Sequence, residues 1–461
     1  MKKRIYLNST KCKWLRVAIL MYCALCLMHS ATMSAQSAPW TLRQCCEYAV
    51  SNNLQIKQRE NERIKHQLQL STARNARLPD LDADINENVS FGRGLTSDNT
   101  YSNTNTSSTS FSLNSNIALF TGFQIPNTIQ LNKLNLEAAT QDLEKAKNDI
   151  RTQVAQAYVQ ILYDIEIAEV ANRQVAIDSQ QVHRLQVMYD NGKASPAELS
   201  QQQATLAQSR LTATQASKDL QLSYLALAQL LELPSPDGLT IARPELSLAP
   251  SPVGKVRGET ISPDIIYSEA LTFRPEVAAE QLRLQGTEKS IKIAQSALYP
   301  TLMFTAGLGT NYYHMSDFDS DAFGKQLRNN FSQYLGLNLQ IPIFNRFATR
   351  NKIRSARVDQ EIQQLQLENV KKTLYKEIQQ VYYNAMAAEE KWRKSDQAVK
   401  AAQDAFILME AKYENGKANI TEFDDAKNKL MKAESDLVQA RYEYLYQTAL
   451  LDFYRGRELK F

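Results

Sequence analysis

The spacing of apolar residues changes period twice along the chain, and the same changes recur about 220 residues later. Residues 41–78 carry apolar side chains at helical spacing. From position 80 the pattern alternates, with Leu81, Ala83, Ile85, Val89 and Phe91 on one side and Asp82, Asp84, Asn86, Asn88 and Ser90 on the other. After a Ser/Thr/Asn-rich segment, about 94–109, alternation resumes: Phe111, Leu113, Ile117 and Leu119 oppose Ser112, Asn114 and Asn116. A period of two predicts strands, here over about 80–92 and 109–121. In the second half Leu302, Phe304, Ala306 and Leu308 oppose Thr305, Gly307 and Gly309, and Leu335, Leu337, Leu339 and Ile341 oppose Tyr334, Gly336, Asn338 and Gln340. These predict strands over about 300–313 and 331–343. Runs of about 10–12 residues suit strands that cross an outer membrane at a tilt. A soluble hairpin has the same period, but four such strands flanked by very long helices fit it poorly.

The helical signal is as strong. Stretches 125–189 and 348–413 hold no Gly and, past Pro126 at the entrance of the first, no Pro. Each would extend on the order of 95 Å as a helix. Two further helices, about 196–231 and 419–453, carry heptad stripes: Leu199, Leu206, Ala213, Leu220 and Leu227, then Phe423, Leu430, Leu437, Tyr444 and Leu451. A strict seven-residue repeat predicts coiled-coil packing, with the polar faces left wet.

The two halves are copies. Tyr189-Asp190-Asn191-Gly192-Lys193-Ala194 matches Tyr413-Glu414-Asn415-Gly416-Lys417-Ala418 at an offset of 224. The same offset pairs Leu119-Phe120-Thr121-Gly122-Phe123 with Ile343-Phe344-Asn345-Arg346-Phe347, while Leu78-Pro79 matches Tyr299-Pro300 at 221. The chain therefore divides into a first repeat, 36–232, a Pro-rich linker, 233–262, and a second repeat, 263–461. Units this long indicate duplication, not a solenoid.

Composition sharpens this reading. Gly and Pro together make about 6% of the 461 residues, about half of ordinary usage, which favours long helices. The formal charge of +4 reflects six basic residues within 1–35, a segment without acids; the rest carries 47 basic against 49 acidic side chains. A nucleic-acid-binding body is not expected. Lys2 to Arg16 followed by the apolar run Val17–Met28 and small residues at Ser34, Ala35, Ser37 and Ala38 predicts a signal peptide, 1–35, cleaved near 34–38. The mature chain then keeps only Cys45 and Cys46, expected as buried helix residues rather than a disulfide framework.

Catalytic motifs are absent, so no enzyme activity and no cofactor are expected. Four His residues are scattered, and His183 with Met188 lacks metal-ligand spacing. Gly92-Arg93-Gly94 precedes no helix and is no phosphate cradle. Glu422 and Asp425, six and nine residues after Gly416, are three apart and share one helix face; the first repeat offers Glu198, then neutral Gln201.

The order of parts (leader, two units of helix–strand–strand–helix–helix, Pro-rich linker, Tyr-x-x-Gly turns) resembles the outer-membrane efflux protein (TolC) family across essentially the whole mature chain. Trp40-Thr41-Leu42-Arg43-Gln44-Cys45-Cys46-Glu47-Tyr48-Ala49 is similar to its first-helix entry. The resemblance implies a mainly α chain that lends four strands to a trimeric 12-stranded transmembrane β-barrel. Its helices would build a coiled-coil tunnel across the periplasm. It implies a passive exit duct in the cell outer membrane, with a periplasmic adaptor, an inner-membrane pump of RND or ABC type and outer-membrane lipid as partners. Glu422, Asp425 and Glu198 would ring the periplasmic mouth. Tyr189, Gly192, Lys193, Tyr413, Gly416 and Lys417 would form gate and tip turns, with Ala194 and Ala418 where the family can place an Arg. An exit channel for type I protein secretion has the same fold, and a soluble periplasmic coiled-coil scaffold is the reading of a different class. The backbone independently requires closure: four strands cannot make a barrel and open edges do not survive in lipid, so several chains must join.

Overall fold

The computed structural model describes residues 39–460 apart from 96–97, 104, 245–254, 257–258, 261 and 317–318. The expected signal peptide lies outside the described residues. The stretch 41–78 is two helices, α1 (Leu42–Asn52) and α2 (Leu54–Asn75), not one. Thr41 and Gln44 form a capping box that starts α1. Asn53 then leaves the helical region, with ψ of 133°, and its side chain accepts from the Gln55 N–H at 2.9 Å to restart the chain as α2. The second repeat breaks between α5 (Pro263–Phe273) and α6 (Pro275–Ser296) at Arg274, where the following proline disfavours helix.

Four principal strands follow the predicted pattern: β1 (Asp82–Ser90), β2 (Thr106–Thr121), β3 (Thr301–Met315) and β4 (Ser332–Gln340). The polar loop after β1 is not featureless, because Arg93–Leu95 pairs with Tyr101–Asn103 as a short hairpin, and Phe323–Asn329 forms a helical turn in the corresponding loop. The sheet is an antiparallel meander in the order β1-β2-β3-β4. Register places Ile85 opposite Phe111, Leu113 opposite Leu308, and Phe304 opposite Leu337, giving one apolar face. The other face stacks Asn114, Gly307 and Tyr334 in one row and Asn116, Thr305 and Gly336 in the next. The Tyr334 ring lies over Gly307, where a Cβ would come within 2.5 Å of it, and its hydroxyl donates to Asn114 Oδ1 at 3.1 Å.

The long helices α3 (Gln124–Asp190) and α7 (Ala348–Glu414) have 67 residues each, about 100 Å of helix. Each begins at a left-handed pair, Gly122-Phe123 and Arg346-Phe347, and each Phe packs edge-on against a partner three residues earlier, Phe120 or Phe344. A Cβ on Gly122 would sit 2.4 Å from the Ser296 carbonyl oxygen. Gly122→Ala is therefore expected to cost more than the roughly 1 kcal/mol of the left-handed conformation alone, whereas Arg346→Gly should be neutral or stabilising. Thermal unfolding in detergent checks the contrast; equal effects would show that the close approach to Ser296 does not constrain the junction.

Packing makes one continuous wall. In its upper half neighbouring helices run α2-α3-α6-α7, the order of the strands above them. In its lower half α4 (Pro196–Leu230) and α8 (Ile420–Tyr454) return beside α3 and α7, giving α4-α3-α8-α7. One edge is thus α2, β1 and α4, and the other is β4 and α7. The largest core sits at mid-height and joins Cys45, Ile150, Val154, Tyr158, Ile161, Leu162 and Leu227. Part of the linker belongs to it. Trp40 pairs with Ile241, and the Tyr158 hydroxyl donates to the Ala242 carbonyl at 2.5 Å, with the Trp40 carbonyl 3.1 Å away. Burial pushes the Cys45 thiol up to about 12 and the Cys46 thiol to about 11, which keeps both protonated.

Candidate functional site

At the lower end α3 turns into α4, and α7 into α8, through five-residue connections whose first four residues, Asn-Gly-Lys-Ala, are the same. Gly192 and Gly416 adopt φ of +72° and +68°, a left-handed cap that Gly occupies without strain. The N–H groups of Lys193 and Lys417 reach back to Met188 and Lys412 carbonyls at 2.8 Å, completing Schellman motifs. Both lysines are exposed. The next helices open with capping boxes. Ser195 and Glu198 exchange bonds at 2.8 and 3.2 Å, and Asn419 and Glu422 at 2.9 Å each way. The Ser195 backbone N–H, then its hydroxyl, hold the Glu198 carboxyl below the usual carboxylate range.

Glu422 and Asp425 occupy one exposed face, as their spacing predicts. Each also has a local partner: Glu422 caps its helix, and Asp425 pairs with Lys429 at 2.7 Å. The two tip tyrosines differ. Tyr189 is exposed, whereas Tyr413 stacks on Phe423 at 4.9 Å and carries the Arg184 guanidinium over its ring at 5.4 Å. Burial raises the Tyr413 hydroxyl pKa, and Arg184 opposes that rise.

The sequence reading missed the links between the two hairpins. Lys427, 2% exposed, reaches Asp178 Oδ1 at 2.5 Å and Asp424 Oδ1 at 2.6 Å. Asp178, fully buried, also accepts from Ser209 Oγ at 2.5 Å and Gln174 Nε2 at 3.1 Å. Asp424, which points away from Asp425, is thereby committed within its own chain. Above this knot Arg173 pairs with Glu434 at 3.3 Å, and Arg441 with Glu166; below it Arg184 pairs with Glu414 at 3.7 Å. Positions 427, 434 and 441 are seven apart, so one stripe of α8 is clamped to α3 along its length. The detectable signal was this charged stripe four residues behind Phe423, Leu430 and Leu437, where coiled coils place interhelical ion pairs.

Among the described residues no helix is long and apolar enough to cross a membrane. The sheet instead exposes an apolar face, with Ile85 71%, Leu335 76% and Leu337 69% accessible. A four-stranded sheet with an apolar and a polar face, continued by a wall of paired helices, has the two-sided character of an outer-membrane channel protein. The chain belongs to the outer membrane efflux protein family, whose model matches residues 46–232 and 266–457, one segment in each repeat. The outer membrane efflux protein BepC of Brucella suis is 23% identical over 450 residues, covering 97% of this chain and 91% of BepC. The outer membrane protein TolC of Escherichia coli is 28% identical over 160 residues, covering 34% of this chain and 32% of TolC. Among solved structures, the CmeC outer membrane channel of Campylobacter jejuni superposes with a TM-score of 0.76 at 16% identity, covering 91% of this chain and 87% of CmeC. VceC of Vibrio cholerae gives 0.71 at 20% identity, covering 91% and 97%. The structural likenesses establish the fold, and the family places the chain in the cell outer membrane as an efflux channel.

Proposed function

We propose that three copies of this chain close into the exit duct of a tripartite export system. It would pass small molecules passively from an inner-membrane pump, reached through a periplasmic adaptor. The observation that carries this reading is the wall's two unpartnered edges, which follow the same order in sheet and helices. One edge leaves Ile64 and Leu68 of α2 and Leu211 and Leu222 of α4 exposed; the other leaves Val358, Ile362 and Leu365 of α7 exposed, with β1 and β4 unpaired on their outer sides. Two different edges favour head-to-tail contacts that close a ring. Lipid admits no open strand edge, so β1 of one copy would pair with β4 of the next. Native mass measurement of the detergent-purified particle should give three copies; a stable monomer would overturn the architecture.

The tip turns are the proposed adaptor contact. They are the tight connections between the long helices, and they present exposed Lys193 and Lys417 on rigid caps. Photocrosslinkers at these two positions should capture the adaptor. Capture from the loops near 94–109 or 315–330 instead would reverse the orientation.

A further inference from the structure

A cavity of about 630 Å³ opens where α1 and the middle of α3 meet the α5–α6 junction and the end of α8. That volume lies in the range of small-molecule sites. The carboxylates that line it are already matched, Glu47 by Arg43 at 2.8 Å and Glu458 by Lys460 at 3.2 Å. Among the described residues, two lining guanidiniums have no such match. Arg151 donates only to the Asn148 side-chain oxygen, at 2.9 Å. Arg274 is 6% exposed; it donates to the Phe453 carbonyl at 3.4 Å, and its buried Nε has no hydrogen-bond partner. The Phe453 and Tyr454 rings lie 4.8 and 4.3 Å from the guanidinium carbon and favour the cation, but they supply no counter-charge.

The duplication shows that this charge is more than the fold requires. At offset 221 the counterpart of Arg274 is Asn53, which donates to the Leu230 carbonyl at the end of α4, one position away from the counterpart of the Phe453 carbonyl that Arg274 reaches. A neutral side chain therefore serves the helix end in the first repeat. Glu276, Glu377 and Asp149 favour the Arg274 charge from a distance, but none of them forms an ion pair with it. A buried guanidinium without a direct counter-ion is costly unless an anion completes it.

We propose that this cavity binds the carboxylate or phosphate group of a small ligand, with Arg151 and Arg274 as the recognising cations. The planar guanidinium fork matches either group. The site is built within one chain, so its test is independent of the ring closure proposed above. Full-length protein in detergent is titrated by calorimetry with inorganic phosphate and with succinate at constant ionic strength. Saturable binding of at least one probe at one site per chain is expected, and the tighter probe identifies which group the site takes. Arg151→Gln should weaken that binding about tenfold or more. Arg274→Asn, which installs the residue of the other repeat, should do the same without changing particle mass. Cys46 lines the cavity, so bound probe should also slow its alkylation. Arg151 is not part of the buried core, so Arg151→Gln decides the matter even if Arg274→Asn disturbs folding. Absence of saturable binding by either probe, or binding unchanged in Arg151→Gln, would overturn the proposal.

Discussion

Lys427→Met is expected to loosen the whole lower third of the helical wall. The substitution leaves Asp178 fully buried with its Ser209 and Gln174 bonds but without a cation. Removing one partner of a buried pair typically costs about 3–5 kcal/mol, because the remaining charge is stranded. Hydrogen exchange in α3 near 170–190 and in α8 near 420–435 should accelerate on the order of a hundredfold or more, while the strands stay protected. Replacing both partners, Asp178→Asn with Lys427→Met, should recover much of the loss, since no unpaired charge then remains on those two positions. Arg173→Gln serves as the control. Its pair with Glu434 is largely exposed, and such pairs contribute at most about 1 kcal/mol. If Lys427→Met exchanges like the control, the buried knot does not hold the hairpins together.

The second large effect is on conduction. In the proposed ring, Glu422 and Asp425 from each copy converge at the periplasmic mouth. Charges brought within roughly 8 Å, the Debye length at physiological salt, reinforce one another's field. Glu422→Gln with Asp425→Asn should lower cation selectivity and weaken block by a trivalent cation about tenfold or more. Assembly should be intact for local reasons. Gln can replace Glu in the capping box with Asn419, and the Asp425–Lys429 pair is exposed. Single-channel currents in planar bilayers, with the cation added to each side in turn, provide the measurement. Equal block of both proteins would mean that these acids lie off the conduction path. Glu198 should contribute less, because Gln201 stands where the second acid would be.

Much of this architecture was legible because period and punctuation agree. The alternation from Leu81 to Phe91 and from Leu335 to Ile341 marked two strands to within a few residues, and the nearly Gly-free and Pro-free runs marked α3 and α7. The break at Asn53 escaped notice because an Asn inside an apolar-periodic stretch resembles a tolerated helix residue; the equivalent break in the second repeat, not read either, carried a signal in Pro275. The knot at Lys427 was hidden for a different reason. Asp178 is 249 positions away, and a lone Lys on a Lys-rich helix reads as solvent-facing. Arg274 was equally silent, since its significance comes from Asn53 in the other repeat and from a cavity that only folding assembles.

The shared tip sequence, Asn191-Gly192-Lys193-Ala194 and Asn415-Gly416-Lys417-Ala418, carries a consequence for counting. A ring of three chains would offer six copies of this turn but only three each of Arg184, Arg274 or Lys427. A protein that grips the turn alone would find six near-equivalent handholds and could saturate at twice the number of chains. One that also grips Arg184 would stop at three. The stoichiometry at saturation, weighed on the intact complex, therefore reports whether a partner reads the duplicated motif or the half of the molecule that has diverged.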